Sequence, residues 1–281
     1  MIRIMNFGQC WSNDIAFSKG QAVNDLSSDF RKFLEEPTNA RMISESGPRY
    51  NPSTNNSLGN IIIVNICASI LSKKLDLKVV NYGNVEDWQM LYRPPHADGR
   101  QIVEPVEWCD QQQINALTLK DEIPEVNHGI DVCTLYFQDA DFIRWHKDDI
   151  KNHFNKFRFI TDLLVHVRLG DIANISAGID YYRHCINNID FESGFIASDD
   201  PKHEIVRTLA EEYNLQIYHG TPTKTLVLGA SARNLVLSGG TFSWAMGVAS
   251  SSDNIYYPIY PVGKRFYGDI FVFENWNGIE I

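Results

Sequence analysis

The sequence predicts an α/β fold built on parallel strands, and two observations carry that expectation. From residue 158 onward, short apolar runs alternate with segments of helical periodicity. Three of those apolar runs end in clusters of small and charged residues. Strands that alternate with helices need crossover connections, and crossovers produce parallel sheets with right-handed handedness. In such sheets ligands bind in the loops outside the carboxyl ends of the strands.

Taken in order, the first 56 residues hold one helical pattern, Ala22 to Glu35, with Leu26, Phe30, Phe33 and Leu34 at helical spacing and Pro37 as its stop. Ser46 to Asn56 is rich in Gly, Pro, Ser and Asn and reads as an exposed loop. In the stretch SLGNIIIVNICASILSKKLDLKVVNYG, Ser57 to Asn60 read as a turn, Ile61 to Leu75 as a helix apolar on most faces, and Leu77 to Asn81 as a strand. A glycine turn ahead of a buried helix presents backbone amides, a common way to cradle phosphate. Neither the Walker lysine nor GxGxxG accompanies it, so a plain turn before a core helix explains it equally well. Residues 83–128 carry Pro94, Pro95, Pro105 and Pro124 and read as loops and short elements. Ile130 to Phe137 reads as a strand, and Asp139 to Phe157 as a helix with Phe142, Trp145, Ile150 and Phe154 on its apolar side.

The alternation then becomes regular. Strands are expected at 162–168, 194–198, 215–218, 234–238 and 254–257, and helices at 180–189, 201–213, 223–232 and 242–251. This second half reads as a Rossmann-like domain.

Composition narrows the function. Hydrophobic residues make up 44% of the chain, enough for a sizeable core. The formal net charge of −10 leaves no basic patch to neutralise a nucleic acid backbone. Any anionic ligand must be held by local arginines, lysines or backbone amides. Cys10, Cys67, Cys109, Cys133 and Cys185 are odd in number, far apart and without metal-ligand spacing, so reduced thiols are expected. No signal-like run opens the sequence, and Ile61 to Leu71 is too short to span a bilayer, so a soluble, cytoplasmic protein is expected.

The chemistry concentrates at three strand ends. The first, LLVHVRLGD (163–171), leads into His166, Arg168 and Asp171. Arginine suits a phosphate-bearing ligand because its planar donor fork binds two oxygens at once. The second, FIASDDP (195–201), ends in Ser198, Asp199 and Asp200; one of these suffices to cap a helix started by Pro201, and a further carboxylate suits the paired donors of a base or a ribose. The third, LVLSGGTFSW (235–244), ends in Ser238, then Gly239 and Gly240, then Thr241, Phe242 and Ser243 opening a helix whose N-terminus suits a diphosphate.

These segments resemble the α-1,2-fucosyltransferase family. HVRLGD is similar to its HxRxGD motif, FIASDDP to its SDD segment, LVLSGGTFSWAMGVAS to its S-x-S-T-F-S-W motif, and SLGNIIIVNICASILSKKL to its N-terminal GLGNQ-x-F-Q helix. Less sharply, LYFQDADFIRWHKDDIKNHF resembles the segment before the HxRxGD strand, and the resemblance spans about residues 55–260. It implies a GT-B-like architecture, two Rossmann-like domains with parallel sheets facing a cleft. Residues 1–155 would be the acceptor-side domain, with an extra N-terminal segment over 1–50, and 156–281 the donor-binding domain. It also implies inverting transfer of fucose from GDP-fucose to a glycan hydroxyl, with no metal and no further cofactor. The family's phosphate-binding arginine falls on Arg168 with His166 beside it, its guanosine-binding acidic segment on Asp199 and Asp200, its diphosphate turn on Ser238 to Ser243, and its Gly-Asn pair on Gly59 and Asn60. The chain departs from the pattern at Leu169, where a second arginine is usual, and at Ile61, Ala245 and Gly240.

Two other readings stay open. Asp139-Ala-Asp141 has the DxD spacing of metal-dependent glycosyltransferases, in which a divalent ion would bridge the diphosphate of another GDP- or UDP-sugar; Asp139 and Asp141 also stand where helix-capping carboxylates are expected. A nucleotide-sugar-binding protein without transfer would need the same pocket. The acceptor-activating base is expected at Asp171, or at Asp14, Asp25 or Glu45 if the N-terminal segment lines the cleft.

Overall fold

The computed structural model describes residues 2–3, 58–77, 79–80, 106–108, 111–119, 129–131, 137–170, 176–261 and 269–281. The Ala22–Glu35 helix, the Ser46–Asn56 loop, Asp14, Asp25, Glu45, Asp171, Cys10, Cys109 and Cys133 lie outside the described residues. Cys67 and Cys185 are buried free thiols, and burial raises both their pKa values, that of Cys185 to about 12.

The larger sheet has six strands, all parallel: β5 (Thr161–Val167), β6 (Gly194–Ser198), β7 (Gln216–Tyr218), β8 (Ala232–Val236), β9 (Asn254–Ile259) and β10 (Asn277–Glu280). Their spatial order is β7-β6-β5-β8-β9-β10, so the chain starts in the middle, winds one way and then returns to wind the other. The reversal falls between β5 and β8, a topological switch point. Between the strands lie α5 (Ile179–Asn187), α6 (Glu204–Glu212), α7 (Pro222–Ala230) and α8 (Thr241–Ala249).

Period-two alternation sorts the strand residues between two cores. Leu163, Val165, Val167 and Ile196 pack with Tyr182, Ile186, Val206 and Leu209 of α5 and α6. Leu164, Ala197, Leu235 and Leu237 pack with α7, with Trp244 and Met246 of α8, and with Ile62, Ile63 and Ile66 of an earlier helix. Both faces of the sheet are therefore covered, which is why Leu163, Leu164 and Val165 follow one another as an unbroken apolar run in the middle of β5.

That earlier helix is α1 (Leu58–Leu75). Leu58 to Asn60 form its first turn, where the sequence predicts a turn outside the helix: Gly59 and Asn60 are buried against α8, and tertiary packing outweighs their low helical propensity. At 18 residues and a mean hydropathy of 1.4, α1 is long and apolar enough to cross a membrane, yet 67% of it is buried inside the protein. A smaller parallel sheet, in the order β2-β1-β4-β3, is made of β1 (Ile2–Arg3), β2 (Val79–Val80), β3 (Val106–Trp108) and β4 (Gly129–Asp131). Helix α2 (Gln111–Thr118) follows β3.

The helix expected over 139–157 is two short ones, α3 (Ala140–Trp145) and α4 (Lys147–His153), joined at His146. The buried stripe runs through the junction at four-residue spacing, Phe142, His146, Ile150 and Phe154, so His146 takes the inward position next to Trp145. Phe142, Ile150 and Phe154 remain buried, but Trp145, expected on the apolar side, is 53% exposed. After β9 the chain packs Phe271, Phe273 and Trp276 into the α8 side of the core before pairing as β10. Lys151 of α4 sits over the Phe273 ring, 5.0 Å from its centroid, and Lys147 pairs with Glu274, tying the C-terminal segment to α4.

Candidate functional site at the carboxyl end of the six-stranded sheet

The three polar strand ends belong to β8, β5 and β6, which are adjacent with β5 in the middle. The cluster is built from the β5–β8 side first. His166 Nδ1 lies 2.8 Å from Ser243 Oγ and 3.0 Å from Ser238 Oγ, and the two hydroxyls lie 2.9 Å apart. All three residues are buried. Burial pushes the His166 imidazole down to about 4, with Arg168 adding to the effect and Asp199 opposing it, so the ring is neutral at physiological pH. The Phe242 ring stands 5.1 Å from it, centroid to centroid. The triangle ties β5 to the first turn of α8.

Helix α8 begins at Gly240, whose φ of 98° lies in the left-handed region that glycine enters without penalty. No side chain caps α8, whereas Thr221 caps α7, His203 caps α6 and Asp139 caps α3. The positive end of the α8 dipole therefore lies at the strand ends without a capping side chain, with the Phe242 amide packed against Gly59.

A second helix N-terminus meets this one. A Cβ on Gly59 would overlap the main chain of Thr241 and Phe242, so only glycine lets the first turns of α1 and α8 touch. Thr241 Oγ1 donates to Asn60 Oδ1 at 2.7 Å, and Gln138 Nε2 donates to the same oxygen at 3.1 Å. Gly59 and Asn60, remote in sequence from the third cluster, are thus placed directly against it.

On the β6 side, Asp199 binds inward. Its Oδ1 accepts the Leu169 N–H at 2.8 Å, its Oδ2 accepts the Gly170 N–H at 3.0 Å, and Oδ2 also lies 3.2 Å from an Arg168 guanidinium nitrogen. Asp199, expected among the nucleoside-binding acceptors, is engaged in shaping the β5 loop and orienting Arg168. Arg168 and Asp199 are each about one-quarter to one-third exposed, at 32% and 26% of their side chains. Ser198 Oγ accepts the Asp200 N–H at 3.0 Å, a local turn that leaves the Asp200 residue exposed beside them. Leu169 is buried in the α5–α6 core, so the position where the family pattern has a second arginine faces inward.

The DxD pair serves α3. Asp139 accepts the Phe142 N–H at 2.7 Å and the Asn115 Nδ2 at 3.0 Å, and exposed Asp141 pairs with Arg144. Among the described residues no group of three metal-ligating side chains occurs. Nothing local in the sequence marks Gln138, whose partner Asn60 is 78 residues away; its one signal is its place in the segment ahead of β5 that resembles the fucosyltransferase pattern.

No family model matches the chain, and none of the curated proteins matches it in sequence.

Proposed function

We propose that the protein is an inverting glycosyltransferase of GT-B architecture that moves a sugar, L-fucose from GDP-fucose, onto a hydroxyl of a glycan acceptor. One observation carries this reading: Arg168 and the uncapped N-terminus of α8, itself against the first turn of α1, converge on the carboxyl end of a parallel sheet at its switch point. This constellation is matched to a diphosphate, which needs a bidentate cation and amide donors. The motif resemblance supplies fucose and guanosine.

In this reading the glycosidic bond to the diphosphate breaks through an oxocarbenium-like state, its electron pair leaves with the diphosphate oxygen, and the main demand is to stabilise the negative charge that grows there. Arg168, aimed by Asp199, and the α8 amides meet that demand without a metal. Neutral His166 fixes the α8 turn through Ser238 and Ser243 without placing a fixed charge among them. Exposed Asp200 is the carboxylate placed to take donors of the base or ribose. The acceptor base in this reading is Asp171, or Asp14, Asp25 or Glu45 of the N-terminal segment, all of which lie outside the described residues.

The buried side chain of Leu169 favours a second reading, a nucleotide-sugar-binding protein without transfer, because among the described residues no second arginine stands beside Arg168 at this loop. Incubation with GDP-fucose and a panel of glycan acceptors in EDTA separates them. Fucosylated product with chelator present supports the proposed reaction. Nucleotide binding without product or hydrolysis supports the second reading, and product that requires added Mn²⁺ or Mg²⁺ supports a metal-dependent enzyme.

A further inference from the structure

The segment just ahead of α3 is held in a costly conformation. Phe137 has φ of 53°, left-handed, and its ring is buried 5.5 Å from that of Phe142. A bulky residue in that region costs about 1–2 kcal/mol and persists only where its surroundings impose it. The following residue is Gln138, whose amide donates to Asn60 Oδ1, and the next is Asp139, which caps α3 and receives Asn115. Gln138 is therefore gripped from both sides, by a buried ring before it and a helix cap after it.

Asn60 Oδ1 accepts from both Gln138 and Thr241, which uses the two lone pairs of a carboxamide oxygen. One oxygen thus joins three separate segments: the 137–139 segment, the first turn of α1 and the first turn of α8.

Building on the proposed donor site, we infer that Gln138 is a positioning residue for the nucleotide diphosphate: through Asn60 it fixes the first turn of α1 against the first turn of α8. With the Gln138 donor gone, one of the two hydrogen bonds that orient Asn60 is lost. The two helix termini then hold their spacing less tightly, and the diphosphate meets amides no longer set in advance.

Gln138→Met keeps the side-chain length and removes the donor; Gln138→Glu keeps the shape and sets an acceptor against Asn60 Oδ1. Titration of each variant with GDP and UDP, alongside acceptor and donor kinetics, tests the inference. The expected result for Gln138→Met is about tenfold weaker binding of the nucleotide that wild type prefers, as for loss of one hydrogen bond to a preorganised site, with Gln138→Glu weaker still. The KM for the donor rises with it, while the KM for the acceptor and the melting temperature without nucleotide stay near wild type. Wild-type affinity in both variants would overturn the inference and leave the proposed function standing. A fall in affinity matched by a fall in melting temperature without nucleotide would also overturn it, since the role would then be structural. A wild-type protein that binds neither GDP nor UDP would overturn both.

Discussion

On the β8 side of strand β5, His166, Ser238 and Ser243 are buried and bonded to one another; on the β6 side, Arg168, Asp199 and Asp200 carry formal charge and reach solvent. Both clusters sit at the same end of the same sheet, a few residues apart. The difference follows from dielectric. A charge in the dry cluster would lose its hydration without a partner, which is why burial holds His166 neutral. The wet cluster keeps its charges half-solvated, where a ligand anion can be exchanged for water. The dry side fixes where the backbone lies, and the wet side keeps its charges open to solvent.

The sharpest way to break this contrast is to remove the charge. Arg168→Ala should reduce turnover by roughly a hundred- to a thousandfold, on the order of 3–4 kcal/mol for one preorganised donor to a developing anion, with little change in melting temperature. Arg168→Lys should also fall well short of wild type, because a point charge lacks the fork that binds two oxygens. Steady-state kinetics of both variants check this. Arg183, paired on the surface with Glu212 and Asp180, is the control, and its alanine variant should stay near wild type. Transfer by Arg168→Ala within a few-fold of wild type would mean the charged side is scaffold.

The next largest effect is on the dry side and appears as pH dependence. The folded state holds His166 neutral down to about 4, while the unfolded chain protonates near the ordinary 6.5. As pH falls through 6.5, the unfolded state takes up a proton that the folded state refuses. The stability present above 6.5 is therefore lost progressively between pH 6.5 and 4, by about 3 kcal/mol from this residue. His146, buried beside Phe142 and close to Lys74, is also held down to about 4 and acts with the same sign. Urea midpoints at pH 7.5 and 5 should show the drop, and His166→Gln should show a smaller one. An equal drop in wild type and variant would remove His166 from the account.

Smaller still is the packing between the two helix termini. Gly59→Ala would drive a methyl group into the α8 main chain, and overpacking of this kind costs about 1–3 kcal/mol. Nucleotide affinity should fall together with melting temperature, since the first turns of α1 and α8 must move apart. Unchanged affinity in a destabilised Gly59→Ala would separate the contact from the site.

The legible parts of the molecule were those where local periodicity and tertiary role agree. β6 occupies 194–198 as expected, and the other strands and helices of the larger sheet fall within a few residues of their expected bounds, because apolar alternation there is reinforced by burial on both faces. Strand β10 was missed: NGIE is short, mostly exposed, and visible only through its pairing with β9. Apolar spacing points Trp145 inward because the residue that takes that buried position, His146, is polar. In the site, Arg168, His166 and the Ser238–Ser243 turn stood out as polar residues at strand ends. That Asp199 turns back onto its own scaffold did not, because it depends on which carboxylate reaches the amides of Leu169 and Gly170. Gln138 was hidden for a similar reason, its partner being 78 residues away.

The central claim is that the charged and neutral clusters together form a guanosine-diphosphate site. Thermal unfolding of wild type and Arg168→Ala, each with GDP, GDP-fucose or UDP at concentrations up to about 100 times the measured dissociation constant, addresses it most directly. The account predicts that GDP and GDP-fucose stabilise wild type, by about 2.7 kcal/mol at that saturation. UDP should not stabilise it, and most of the gain should vanish in Arg168→Ala. Equal or greater stabilisation by UDP would contradict the guanine assignment, and no stabilisation by any of the three would contradict the site itself.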